Sequence, residues 1–429
     1  MPQLTGIKGR IFYGWVMVAS FLLIGTIIFG TRYSFGVFFK SVESGFDLTR
    51  EATSSIYSVY MVITSVFALL GGWALDRYGP KTLFLMMGVF SGLGLILASQ
   101  ARSAWQLYLS YSLFMGIGTG PAYTVIMATI SRWFHKRRGP ALGIAGIGGG
   151  LGATLLPPFT AYLIANLSLS WAFLILGLIA GLVIVSLSRL LKRDPYQVGA
   201  LPYGAKATSP RVGLSEGKGH AASVGHSFLR TFREVKAFRT RSFWCFLFTW
   251  LVHAFSLHLV VTHLVPHATD QGISDMDAAL VFALFGFVSI ASRLIMGPLS
   301  DRVGRKVTAI GSAVPHVIAM LGLIWVQELW MFYVFAVVYG LFYGGLDAPI
   351  TALVGDTFGM KNIGAVLGTL GVAWGIGAAI GPWLAGRIFD TTGDYSLAFL
   401  LGAIAMAVAA LLLSFVRREE VEIKPEAKV

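Results

Sequence analysis

Apolar runs of about 20 residues recur along this chain between short charged stretches, and this spacing constrains the fold more than any other feature. A helix needs roughly 20 apolar residues to cross the hydrocarbon core of a bilayer. Twelve runs read as spans, near residues 12–39, 54–74, 82–100, 104–131, 140–164, 168–188, 242–266, 276–300, 307–326, 330–357, 362–386 and 392–416. Of 429 residues 56 % are hydrophobic, which twelve spans absorb almost entirely. Charged residues make up 12 %, about half the share of a soluble domain, and mean hydropathy is +0.74. A water-soluble enzyme and a disordered chain are excluded, and an all-α integral membrane protein is expected. The first run follows Lys8 and Arg10 and is too long for a signal-peptide core, so it reads as an uncleaved span.

A net charge of +13 would suit a nucleic-acid binder if it were clustered on a soluble face. Its placement argues for topology instead. With the N-terminus inside, the cytoplasmic segments hold 27 of the 33 Lys and Arg, the pattern that orients membrane proteins. Both termini are therefore expected in the cytoplasm, with the chain in the plasma (inner) membrane and no nucleic acid as partner. The single cysteine, Cys245, excludes a disulfide framework and a multi-thiolate metal site.

One long polar stretch, rich in Gly, Ser, Ala and Lys, divides the spans six and six. The expected organisation is a bundle over 1–191, a flexible cytoplasmic linker over 192–241, and a second bundle with a tail over 242–429. Within the linker, Phe228, Phe232, Val235 and Phe238 share one helical face. They suit either an amphipathic helix on the inner leaflet or an extension of span 7. An internal repeat relates the two bundles. GGWALDRYGPK at 71–81 recurs as MGPLSDRVGRK at 296–306, an offset of 225 residues. The same offset pairs Gly139, Gly143, Gly146, Gly150, Gly152 and Pro157 of span 5 with Gly364, Gly368, Gly371, Gly375, Gly377 and Pro382 of span 11. Two motifs sharing one offset imply two pseudo-symmetric six-helix halves.

The G-x-x-x-D-R-x-G-x-K loops, the twelve spans and the central linker resemble the major facilitator superfamily over the whole chain. Within it, FYGW at the start of span 1, YSFGVFF at its end, RWFHKRRGPALGIAGIGGGLG between spans 4 and 5, and THLVPHATDQGIS after span 7 are similar to the monocarboxylate and oxalate/formate transporter group. The resemblance implies the major facilitator fold and alternating access, in which the two halves rock about a central site. It also implies that an arginine of span 8 grips the substrate carboxylate, and Arg293 in FVSIASRLIMG occupies that position. One turn before it the family often has an aspartate for proton coupling, where this chain has Ser289. Tyr33 aligns with a lysine that animal members use for the same purpose.

The residues support this independently. Arg293 stands eight residues, about 12 Å, from Asp301 at the end of span 8. That is deep for a group that never loses its proton and whose planar fork matches a carboxylate. Pairing with an acid inside the bundle is the plainer alternative. Asp347 in span 10 lies about 18 Å from the Gly359 end; it is a proton-coupling candidate or a permanent counter-ion to Arg293. Tyr343, one turn away, and Tyr123 of span 4 are candidate hydrogen-bond donors to substrate. In span 7, His253, Ser256, His263 and His267 share a stripe about 80° wide. His263 is the preferred histidine, for substrate or proton, and His253 reads as a helix-contact residue. Arg32, placed near the outer end of span 1, is a gate for anions, a proton-coupling candidate, or an interfacial residue. Asp76, Arg77, Asp301 and Arg302 in the repeated loops lie too near the membrane surface to bind substrate, and read as gating residues or as topology signals.

No G-x-x-x-x-G-K-[ST] loop supports ATP drive, and no HExxH, CxxC or paired carboxylates argue for an enzyme, a cofactor or a metal. Few amides fall within spans, which disfavours sugars. The expected function is a monomeric secondary transporter of lactate- or pyruvate-like monocarboxylates, moving the anion with a proton. The rivals are an organic-anion exchanger and a membrane sensor on a transporter fold. A dicarboxylate would prefer a second buried cation, and span 11 has none.

Overall fold

The computed structural model describes residues 12–205, 236–358 and 363–417. Ten of its helices are long and apolar enough to cross a membrane. The longest, Arg50–Ala98, holds spans 2 and 3 and bends at Gly79, whose φ of 76° favours a residue without Cβ. Span 9, Arg305–Gly322, is not among the ten and completes twelve. It meets span 8, Asp275–Val303, at Gly304 with φ 107°. Gly79 and Gly304 are repeat mates, so the duplication reaches down to the dihedral angle of a turn.

The remaining spans are 1 (Tyr13–Gly45), 4 (Ala104–Trp133), 5 (Arg138–Asn166), 6 (Leu169–Ser188), 7 (Arg241–Asp270), 10 (Leu329–Phe358), 11 (Ile363–Thr392) and 12 (Ser396–Phe415). Span 1 runs beyond its apolar stretch, turning at Ser34 and continuing through Phe35–Gly45. Hydroxyl caps at Thr49, Ser168, Thr240 and Ser274 accept from the first turns of the helices they precede. Each half folds as a six-helix bundle. Tyr13 and Phe415 mark the terminal face, and Gly45, Arg50 and Asp270 mark the far face.

The apolar core is distributed unevenly between these faces. On the terminal side each half has its own. Phe21, Phe84, Val125 and Trp133 belong to the first, and Phe243, Phe246, Ile350 and Met406 to the second. On the far side a single core takes residues from both, including Phe38, Tyr57, Leu257, Phe282 and Phe399. The halves are joined at one face and parted at the other.

The beginning of the linker is docked rather than free. After a 3-10 turn at Pro195–Val198, the Tyr203 N–H donates to the Trp133 carbonyl at 2.9 Å. The Tyr203 ring meets Phe12 and Phe134. A backbone hydrogen bond to the last residue of span 4 is a tertiary feature that composition does not encode. The stretch carrying Phe228 and Phe232 lies outside the described residues, and its end forms a 3-10 turn at Lys236–Arg239.

Candidate functional site

Spans 8 and 10 approach each other closely because their facing residues are small. A Cβ on Gly344 would stand 2.7 Å from the Arg293 backbone nitrogen, and the Ser292 hydroxyl donates to the Leu341 carbonyl. This contact sets Arg293 opposite Asp347. Nη2 of Arg293 donates to Oδ2 of Asp347 at 3.3 Å and reaches the Tyr343 hydroxyl at 3.5 Å. The guanidinium also lies 5.5 Å from the centre of the Tyr343 ring. Its electrostatic neighbours include Tyr123 of span 4 and Tyr33 of span 1, so the pair faces the other half of the molecule.

Arg293 and Asp347 retain 31 % and 27 % of their side-chain exposure at mid-depth, and Tyr123 is 57 % exposed. Groups from opposite halves that neighbour each other and remain exposed line a cleft between those halves. Toward the far face the cleft is shut. The glycine rows agree: a Cβ on Gly286 would meet Ala153 at 2.7 Å, and one on Gly386 would meet the Arg50 carbonyl at 2.5 Å. Nearer the terminal face, Gly143 and Gly297 have nothing within 4 Å. The cleft therefore opens to the terminal face.

Four residues singled out from the sequence, Arg293, Asp347, Tyr343 and Tyr123, thus share one site. His253 joins them. Its Nε2 lies 3.8 Å from Oδ1 of Asp347, its ring stacks on Tyr343, and both ring nitrogens lack a hydrogen bond. Helical periodicity placed it on the right stripe, but only the fold puts the acid beside it.

His263 lies elsewhere, which corrects its expected place at the substrate. It is fully buried in the far-face closure. Nε2 meets the Pro382 carbonyl at 2.9 Å, so that nitrogen carries the proton, and Nδ1 accepts from the Tyr395 hydroxyl at 3.0 Å. Tyr395 in turn accepts from Arg50 at 2.8 Å. Arg50 lies between the apolar runs and belongs to no motif, yet it is the hub of the closure. Its fork binds both oxygens of Asp270, at 2.5 and 2.9 Å, and Nε donates to Glu43. The guanidinium lies 3.5 Å from the centre of the Phe389 ring. Lys40 also pairs with Asp270, at 2.5 Å, and Asp390 accepts from the N–H groups of Arg50 and Glu51. Asp270 and Tyr395 lie 220 and 345 residues from Arg50, and no local pattern announces them.

Arg32 sits near the middle of span 1 rather than at its outer end, because the helix continues to Gly45. Its Nε donates to the Tyr60 hydroxyl at 3.0 Å, and its guanidinium lies over Phe29 and Tyr60. The loop residues stay within their own halves. Asp76 pairs with Arg132 at 2.7 Å, Arg77 lies over Trp73 and Tyr78, Asp301 pairs with Arg305, and Arg302 is exposed. Among the described residues no ion pair joins the halves at the terminal face.

Comparison with known proteins follows the same lines. Residues 21–294 and 260–429 match the Major Facilitator Superfamily profile. The chain is similar to monocarboxylate transporter 12 of Xenopus laevis, 26 % identical over 94 % of this chain and 89 % of that protein. It is likewise 26 % identical to monocarboxylate transporter 11 of Homo sapiens, over 91 % of this chain and 80 % of that one. Among solved structures, a D-xylose-proton symporter superposes with a TM-score of 0.76 at 15 % identity, covering 95 % of this chain and 98 % of its own. A bacterial homolog of the human lysosomal transporter Spinster, inward-facing and occupied, gives 0.72 at 15 % identity, covering 95 % and 97 %.

Proposed function

The chain belongs to the Major Facilitator Superfamily, and from that premise we propose that it is a monomeric secondary transporter moving lactate- or pyruvate-like monocarboxylates with a proton by alternating access. The observation that carries this reading is the Arg293–Asp347 pair in a cleft between the halves. The Arg293 Nε is buried without a partner, leaving donor capacity for a carboxylate. An arriving anion competes with Asp347 for the guanidinium. A displaced carboxylate at mid-depth is poorly solvated and takes up a proton, and His253 is the adjacent group through which that proton passes. The loaded site then holds one cation against one anion, with Asp347 neutral. That lowers the cost of enclosing it while the halves rock. Tyr343 and Tyr123 orient the rest of the substrate.

The distribution of Lys and Arg supports a cytoplasmic terminal face in the plasma membrane, which makes the described conformation inward-open. Asp76, Arg77, Asp301 and Arg302 are then the residues that re-pair when that face closes. The test is uptake of labelled lactate into proteoliposomes under an inward proton gradient. Arg293→Ala should lower uptake roughly ten- to hundredfold, the worth of a charge-assisted hydrogen bond or two. Asp347→Asn should uncouple residual uptake from the gradient. Wild-type uptake indifferent to the gradient would remove proton symport in favour of exchange, and full activity of Arg293→Ala would remove the assigned site.

A further inference from the structure

The cleft contains a second cation that the monocarboxylate reading leaves unused. Arg293 has Asp347 as counter-ion, whereas Arg32 makes no ion pair among the described residues. Its Nε is occupied by the Tyr60 hydroxyl, which is itself fixed by Thr119 at 2.8 Å. Its two Nη groups donate to no protein group there, and the guanidinium is steadied by the faces of Phe29 and Tyr60 at 5.2 and 5.7 Å. Aromatic faces and one hydroxyl hold a cation in place without neutralising it. An arginine fixed through Nε with its Nη edge unengaged presents the geometry that binds a carboxylate in two places.

Its position relative to Arg293 is favourable. Counting along spans 1 and 8, the two residues lie on either side of mid-depth, roughly 10 Å apart along the helix axes. Side chains lean toward the N-terminus of their helix. Span 1 runs from the terminal face and span 8 from the far face, so the two arginines lean toward each other. Tyr33 lies between them, with Arg32, Arg293, Asp347 and Tyr343 all among its neighbours.

We infer that Arg32 is a second anion-binding group of the cleft, and that the substrates include short dicarboxylates held at one end by Arg293 and at the other by Arg32. The inference rests on the transport reading above and extends its substrate class. The buried cation that span 11 lacks is supplied by span 1. Two arginines and one aspartate leave an excess of one positive charge in the empty cleft, and a dianion bound with Asp347 protonated leaves none. The second carboxylate thus gives Asp347 further reason to take a proton.

The test is equilibrium binding of labelled lactate and labelled succinate to the purified full chain, with Arg32→Gln and Arg32→Lys checked for monodispersity and melting temperature. Wild type should prefer succinate. Arg32→Gln should weaken succinate about tenfold more than lactate, and Arg32→Lys should recover most of that difference. Equal losses for both acids, or a loss that lysine does not recover, would overturn the inference. So would lactate binding with no succinate binding, which leaves the parent reading standing. Binding of neither acid to a well-folded wild type would remove both.

Discussion

The far and terminal faces are built from the same repeated helices yet hold the two halves in opposite ways. At the far face Arg50, Asp270, Asp390, Tyr395 and His263 form one connected network across the halves, over a core that both share. At the terminal face Asp76 with Arg132, and Arg305 with Asp301 and Asp356, stay within their halves, and each half has a separate core. Charge pairing therefore does two jobs. Between halves it holds the far face shut, and within a half it ties the helices of one bundle together.

Three substitutions test this difference, in descending order of effect. In a Cys245→Ser background, Ser54→Cys reports on the closure, since Ser54 is buried there against His263. Adding Arg50→Ala leaves Asp270 and Glu43 without their fork. Breaking one partner of a buried pair costs about 3–5 kcal/mol, so maleimide labelling of the introduced thiol from the far face should rise by a hundredfold or more; unchanged labelling would deny Arg50 its role. Glu51→Gln takes the charge out of a rim contact to Arg387 and Trp383. Exposed pairs contribute at most about 1 kcal/mol, so labelling should rise only a few fold, and a rise matching that of Arg50→Ala would contradict the hub. Asp76→Asn breaks a pair inside one half. It should leave far-face labelling of the same thiol within about twofold of its background and lower the melting temperature slightly; a large gain in labelling would mean that this pair couples to the closure.

Much of this architecture was legible beforehand, because a span is a composition and a duplication is an offset. Arg293, Asp347, Tyr343 and Tyr123 were also legible, since charge and hydroxyl groups stand out where apolar residues are the rule. Residues whose meaning depends on a distant partner were not. Lys40 and Glu43 lie past the apolar run of span 1 yet on its helix, paired with groups at the closure. His263 had the right chemistry for a site, but periodicity gives a stripe on one helix and not which neighbour covers it. Span 1 was cut short for the same reason, and Arg32 was placed too near the surface.

The unfilled glycines of the terminal face come in repeat pairs: Gly72 with Gly297, and Gly143 with Gly368. A Cβ at any of the four would meet nothing within 4 Å among the described residues. Their neighbours farther along the same helices are already pressed against the opposite half. A Cβ at Gly143 or Gly368 thus fits the conformation described without a clash. In the rocking cycle proposed above, a bulkier side chain at these positions would meet the opposite half as the terminal face closes, and would hold the cleft open to the terminal side.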